Sequence, residues 1–227
     1  MRTLALLFLL LTFGCQPAQQ PLSASRNYSA LSPDTVPSRD TSGNFHGEVR
    51  AAAKTSFVAA PADTFRSLQA YYHWLPSDLY MHTKTEARRE NSPRTQEENH
   101  NVVLTDVYIF GVKREDDNDY HIILGATASP DKAQQFFSAE ISGLPDPSSP
   151  YYATLSAVRE KFKAHFGKDI KKETVFTVNE KHPPMHVKSI TGSLFFDNHH
   201  YSGHSSVQGY KACSAWEIHP VTAIEFY

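Results

Sequence analysis

Two cysteines in 227 residues are too few for a disulfide framework, and neither belongs to a C-x-x-C pair. Charge of one sign is also missing. Lysine and arginine total 22 against 24 aspartates and glutamates, and no basic tail or patch is present. The chain therefore lacks the electrostatic footprint of a nucleic-acid binder. No G-x-x-x-x-G-K-[ST] loop, G-x-G-x-x-G or G-x-S-x-G occurs, which removes the usual signatures of phosphate cradles and of the hydrolase nucleophile elbow. Neither H-E-x-x-H nor paired C-x-x-C marks a zinc site. The longest continuously apolar stretch is Leu4 to Leu11. It is far short of the ~20 residues that cross a bilayer.

That stretch is itself informative. Arg2 precedes it, and Gly14-Cys15 follows, giving the charged region, apolar region and small-residue cleavage site of a secretory signal. The segment resembles a bacterial lipoprotein signal. The resemblance implies that residues 1–14 are removed, that Cys15 is acylated, and that the exported chain sits in the cell envelope, held on a membrane by its lipid. From Gln16 to Asn44 the sequence is rich in Pro, Ser, Gln, Ala and Asp without apolar periodicity, so 15–44 reads as lipidated cysteine and flexible tether. With Cys15 acylated, Cys213 is expected to be buried and to form no intramolecular disulfide.

The remainder is long enough for one real core. Residues 45–100 read as a loop-rich extension with one helix. Glu48–Val58 is a candidate strand, Ala62–His73 a helix capped by Asp63 or Thr64, and Pro76–His100 mostly loop. Asn101–Arg114 is dense in β-branched and aromatic residues and forms a long strand. Glu115–Asp119 is a turn, Tyr120–Gly125 a strand, and Gln135–Ile141 a third. Tyr151, Leu155, Val158, Phe162 and Phe166 then make one apolar helical stripe, ended by Gly167. Further β segments cover Val175–Val178, His186–Phe196 and Ala215–Tyr227. The order β-β-β-α-β-β over 101–227 is that of an OB-like Greek-key barrel. Its first strand is long enough to serve both sheets, and Gly111 fits the corner.

Histidine is plentiful, at 12 residues. Asp119-Tyr-His121 and Glu217-Ile-His219 share a form. Residues i and i+2 of a strand face one way, so each pattern presents a carboxylate beside an imidazole. His121, His200 and His219 are the candidate ligands of a divalent metal ion, with Asp119 or Glu217 completing the shell or activating water. The same pairs equally suit a carboxylate-oriented base, or hydrogen-bonded folding details. Cys213 reads as a buried bystander, and Gly203-His-Ser-Ser, although not the hydrolase elbow, leaves a Ser-His pair open. Tyr108, Phe110, Tyr120 and Phe136 have the makings of a stacking platform, but core packing accounts for them better, as it does for Trp74 and Trp216.

Three segments together carry a family resemblance: Lys113-Arg-Glu115-Asp-Asp-Asn-Asp119-Tyr-His121, Gly192-Ser-Leu-Phe-Phe-Asp197-Asn-His-His200 and Glu217-Ile-His219-Pro-Val. They are similar to a group of exported bacterial proteins with the patterns K-x-E-x-D-x-D-x-H, G-x-x-F-F-D-x-x-H and E-[IL]-H-P-V. The resemblance implies no activity. It singles out Glu115, Asp117, Asp119, His121, Asp197, His200, Glu217 and His219. Three functions follow: an envelope lipoprotein whose barrel binds an oligosaccharide or protein ligand, a metal-dependent hydrolase such as a nuclease, or a structural envelope protein. A binding barrel is expected to expose Tyr108, Tyr120 and Phe136, whereas a metal centre is expected to bring His121 and His219 onto one face.

Overall fold

The computed structural model describes residues 43–166, 183–199, 206–207 and 209–227. Its centre is a closed barrel built on β2 (Asn101–Arg114). The second half of β2 pairs antiparallel with β3 (Tyr120–Gly125), which pairs antiparallel with β4 (Phe136–Ile141). Next, β4 runs parallel to β7 (Tyr210–Phe226), β7 pairs antiparallel with β5 (Met185–Phe196), and β5 returns to β2. The cycle β2-β3-β4-β7-β5-β2, with helix α5 (Tyr152–Phe166) between β4 and β5, is an OB-like five-stranded barrel. A short β6 (Ser206–Val207) forms a hairpin with the start of β7.

The expected strands and helix of 101–227 appear within a few residues of their expected limits, apart from Val175–Val178, which lies outside the described residues. Gly111 sits at a register shift in the β2–β3 ladder, and a Cβ there would meet the Val207 side chain at 2.7 Å. Gly192 answers a tighter need. Its missing Cβ leaves room for the Pro220 carbonyl and for Val221 Cα, which would stand 2.9 Å away.

One face of every barrel strand feeds a single apolar cluster. Val102 and Leu104 of β2, Ile122 and Leu124 of β3, Phe137 and Ala139 of β4, Ile190 and Leu194 of β5, and Ile218 and Val221 of β7 meet inside. Helix α5 joins them through Val158 and Phe162, two positions of the expected stripe. Burying a side chain such as Phe162 contributes about 1.5–3 kcal/mol. Arg159 is also buried on this helix, although nothing in the stripe marks it. It stacks 4.2 Å over the Tyr120 ring and donates to the Ser142 carbonyl at 3.1 Å.

The extension departs from expectation. Glu48–Val58 is not a strand but a single helical turn, α1 (Ala51–Lys54), between irregular segments. A helix starting at Ala62 is displaced by β1 (Ala62–Phe65), which extends the sheet in parallel with the first half of β2. The helix that follows, α2 (Leu68–Trp74), is capped by Ser67 rather than by Asp63 or Thr64, the Ser67 hydroxyl accepting from Ala70 N. Pro76–His100 carries two more short helices, α3 (Asp78–Thr83) and α4 (Thr85–Arg88). Trp216 is core, as expected, while Trp74 is exposed at the surface.

Candidate functional site

The inner face of β3, β4 and β7 is apolar, so alternation drives His121, Ser138, Glu140, Glu217 and His219 to the opposite face. Register then brings them together. His121 lies directly across from Glu140, and Ser138 across from Glu217. Asp119 stands two residues before His121, at the end of the acidic turn. Asn118, in the left-handed region at φ 79°, turns the chain there. Arg159 reaches Asn118 Oδ1 at 3.4 Å, so α5 helps to fix this turn.

The distances are those of a contiguous cluster. Nδ1 of His121 lies 2.7 Å from Glu140 Oε1. The Nδ1 atom of His219 is 2.9 Å from Glu140 Oε2 and 3.7 Å from Glu217 Oε2, while its Nε2 is 3.2 Å from Asp119 Oδ2. The backbone N–H of Gly143 donates to Asp119 Oδ1 at 2.5 Å. All five charged residues are buried, none above 3 % exposed. Two sets have ligand atoms close enough to share an ion: Asp119, Glu140 and His219, and His121, Glu140 and Glu217.

Burial on this scale costs a lone charge dearly, so the groups adjust to each other. Burial opposes the charging of His219, but Glu140 and Asp119 together hold its pKa well above the ordinary imidazole value. His121 is raised as well, burial being outweighed by its bond to Glu140. Glu140 is pulled well below the usual carboxylate range by His219 and His121 against the opposing effect of burial. Burial pushes Asp119 up to about 6, even beside His219. It pushes Glu217 up to about 7, with the Glu140 charge adding to the effect. Glu140 is thus the fixed negative centre of the group.

The extension covers this face. Phe45 N donates to the Leu144 carbonyl at 2.8 Å, and His46 N to the Asp117 carbonyl at 3.0 Å. Arg50, buried and left-handed at φ 51°, forms a two-pronged pair with Glu98 at 2.7 and 2.5 Å and lies 4.6 Å over the Phe195 ring. Arg94 donates to the His219 carbonyl at 2.8 Å and to the Ser56 carbonyl at 2.9 Å, tying the cover to β7. Lys54 reaches Asp117 Oδ2 at 3.3 Å. Its burial is outweighed by Glu140, Asp119, Asp117 and Asp197, which keep the ammonium charged.

Beside the cluster opens a cleft of about 200 Å³, lined by Arg50, Lys54, Asp117, Phe195, Asp197 and His199 among others. It lies between the β2–β3 turn and the segment leaving β5, at the loop end where OB-folds take ligands.

Of the residues singled out in the sequence, Asp119, His121, Glu217 and His219 converge in the cluster, while Asp117 and Asp197 line the cleft. Glu115 instead pairs with Lys113 at 2.8 Å. His200, His204, Ser205 and Cys15 lie outside the described residues, so the third histidine of the expected ligand set is not placed. Cys213 is buried in the barrel interior. The expected aromatic strip is absent: Tyr120 and Phe136 are buried, and the half-buried Tyr108 stacks on His186 at 4.4 Å. The apolar demands of both faces account for this. Sequence reasoning missed Glu140, Lys54, Arg50, Arg94 and Glu98. The one visible signal was a glutamate in a strand otherwise free of charge, Phe136-Phe-Ser-Ala-Glu140-Ile. No protein-family model, curated protein or solved structure matches the chain.

Proposed function

We propose that the protein is a lipid-anchored component of the bacterial cell envelope whose OB-like domain binds a ligand in the cleft between the β2–β3 turn and the segment after β5. The observation that carries this reading is the cleft itself, at the loop end of the barrel and floored by Phe195 and Phe196. Its polar lining mixes signs, with Arg50 and Lys54 against Asp117 and Asp197. That mixture suits a neutral ligand with many hydroxyl groups better than a polyanion, which favours an oligosaccharide over nucleic acid. Cys15 supplies the anchor, and residues 15–44 the reach.

The test uses the full chain. Metabolic labelling with a radioactive fatty acid is expected to mark the wild type and not Cys15→Ser. Calorimetric titration of soluble cell-wall oligosaccharides into the Cys15→Ser chain is expected to show saturable binding that Asp197→Ala weakens at least tenfold. Binding indifferent to Asp197 would move the ligand elsewhere.

A second reading is hydrolysis, favoured by the buried carboxylates adjoining the same cleft. Asp119 and Glu217 have pKa values pushed up to about 6 and 7, the range in which an acid or base works near neutrality. Turnover of phosphodiester or glycosidic substrates that disappears in Glu217→Gln would establish it. Inertness toward both classes would leave the binding role.

A further inference from the structure

We propose that His121, Glu140, Glu217 and His219 hold one divalent transition-metal ion, with Asp119 and Ser138 orienting the two imidazoles from outside. This assignment stands apart from whatever occupies the cleft. Both imidazoles turn the same nitrogen inward. His121 Nδ1 lies 2.7 Å from one oxygen of Glu140, and His219 Nδ1 lies 2.9 Å from the other. Glu217 Oε2 closes on His219 Nδ1 at 3.7 Å, and ligand atoms of His121, Glu140 and Glu217 lie within 4.8 Å of one another. Metal–ligand bonds of about 2.0–2.1 Å in a tetrahedron separate neighbouring donors by ~3.4 Å. The separations of 2.7, 2.9 and 3.7 Å lie on either side of that value, and Glu140, common to both close sets, links the two histidines through its two oxygens.

The outward nitrogens also face oxygens. His219 Nε2 faces Asp119 Oδ2 at 3.2 Å, and His121 Nε2 faces Ser138 Oγ at 3.5 Å. Asp119 is in turn held by Gly143 N. A metal-binding histidine characteristically gives its other N–H to a carboxylate or hydroxyl, which fixes the ring. Here both outward nitrogens face such an oxygen, and His121 Nε2 is within hydrogen-bonding range of its Ser138 hydroxyl.

Hydrogen bonding alone leaves this group incomplete. His219 is fully buried, yet neither of its nitrogens lies in hydrogen-bond geometry with the carboxylates beside it, and Asp119 Oδ2 is in the same position. For His219, contact without a directed hydrogen bond is what a donor shows when it faces a shared centre rather than one neighbour. One dication balances Glu140 and Glu217 and leaves Asp119 to the nearby Lys54. The mixed nitrogen and oxygen donors, without thiolate, suit zinc or manganese better than calcium, magnesium or copper(I).

The experiment uses the full chain with Cys15→Ser, purified without a histidine tag. Metal is measured by mass spectrometry after incubation with zinc or manganese and desalting, and cobalt(II) is titrated to read coordination from its visible absorption. About one equivalent of metal is expected, with cobalt bands of imidazole and carboxylate ligation. Glu140→Gln and His219→Ala are expected to lose both, and Asp119→Asn to bind about 10–100-fold more weakly. Folded wild-type protein that takes up no zinc or manganese and gives no cobalt bands would overturn the proposal. So would Glu140→Gln that keeps a full equivalent. Should Glu140→Gln fail to fold, the wild-type cobalt spectrum and the Asp119→Asn affinity decide alone.

Discussion

The two faces of strands β3, β4 and β7 are equally hidden from water and made of opposite materials. Inward, Ile122, Leu124, Phe137, Ala139, Ile141 and Ile218 pack without a polar atom among their side chains. Outward, His121, Ser138, Glu140, Glu217 and His219 are as deeply buried. Burial therefore does not distinguish a core from a site. The inner face stabilises by removing apolar area from water. The outer face holds charges at a cost that only mutual pairing offsets. Apolar side chains of similar volume would give comparable stability without that cost.

The comparison sharpens under mutation. On the inner face, Phe137→Ala removes a ring that packs edge-on against Tyr71 at 5.5 Å. It is expected to cost about 3–5 kcal/mol in denaturant unfolding. On the outer face of metal-free protein, Glu140→Gln leaves two buried imidazoles without their shared counter-charge, an effect of similar size, about 3–5 kcal/mol. The faces diverge in the double variants. Removing His121 and Glu140 together, as His121→Leu with Glu140→Leu, is expected to cost less than the sum of the single changes. For Phe137 with Tyr71 the shortfall is expected to be only that of an aromatic pair, about 0.5–1.5 kcal/mol. Strict additivity for His121 and Glu140 would show that the two charges do not offset each other.

Next in size is the response to pH. His219, His121, Asp119 (about 6) and Glu217 (about 7) all hold protons more tightly folded than unfolded. The folded chain then binds more protons than the unfolded one between about pH 5 and 8, and stability rises as pH falls. The histidine contribution is complete below their unfolded pKa of ~6.5 and is lost as pH rises through the raised folded values. Asp119 and Glu217 oppose folding while ionised and cease to do so as they take up protons. Glu140 acts in the other direction, its stabilisation lost only as pH falls through its depressed value. Metal-free protein is therefore expected to melt at a higher temperature at pH 5 than at pH 8, by calorimetry. A flat profile would mean that the cluster's protons are not coupled to folding. The smallest effect belongs to the surface. Lys163→Ala breaks an i,i+3 pair with the exposed Glu160 on α5 and is expected to change stability by about 0.5 kcal/mol or less.

The barrel was legible because its strands announce themselves. Asn101–Arg114 is too rich in β-branched and aromatic residues to be anything else, and the Leu155, Val158, Phe162 spacing has only a helical reading. The extension was not legible, because one-turn helices such as α1 and α4 carry no period and depend on the tertiary contacts that hold them. Half of the site could be read for a related reason. Asp119 with His121 and Glu217 with His219 are each local patterns of i and i+2. Glu140 joins them only through the β3–β4 register, which no single segment encodes. Arg50 and Arg94 find their partners more than 40 and 120 residues away, at Glu98 and at the His219 carbonyl. Contacts of that kind are invisible in a linear pattern.

The parallel pairing of β4 with β7 sets an order of assembly. β7 is the strand that closes the barrel, and it alone brings Glu217 and His219. Until the chain is complete to that strand, His121 and Glu140 face water as an unremarkable pair on an open sheet edge. The charged cluster cannot precede closure, and closure cannot occur without gathering the charges. Because these contacts span nearly a hundred residues of sequence, their loop-closure entropy is met late, and folding of this domain is expected to be limited by that final strand. A change that slows the docking of β7 would delay barrel and cluster as one event.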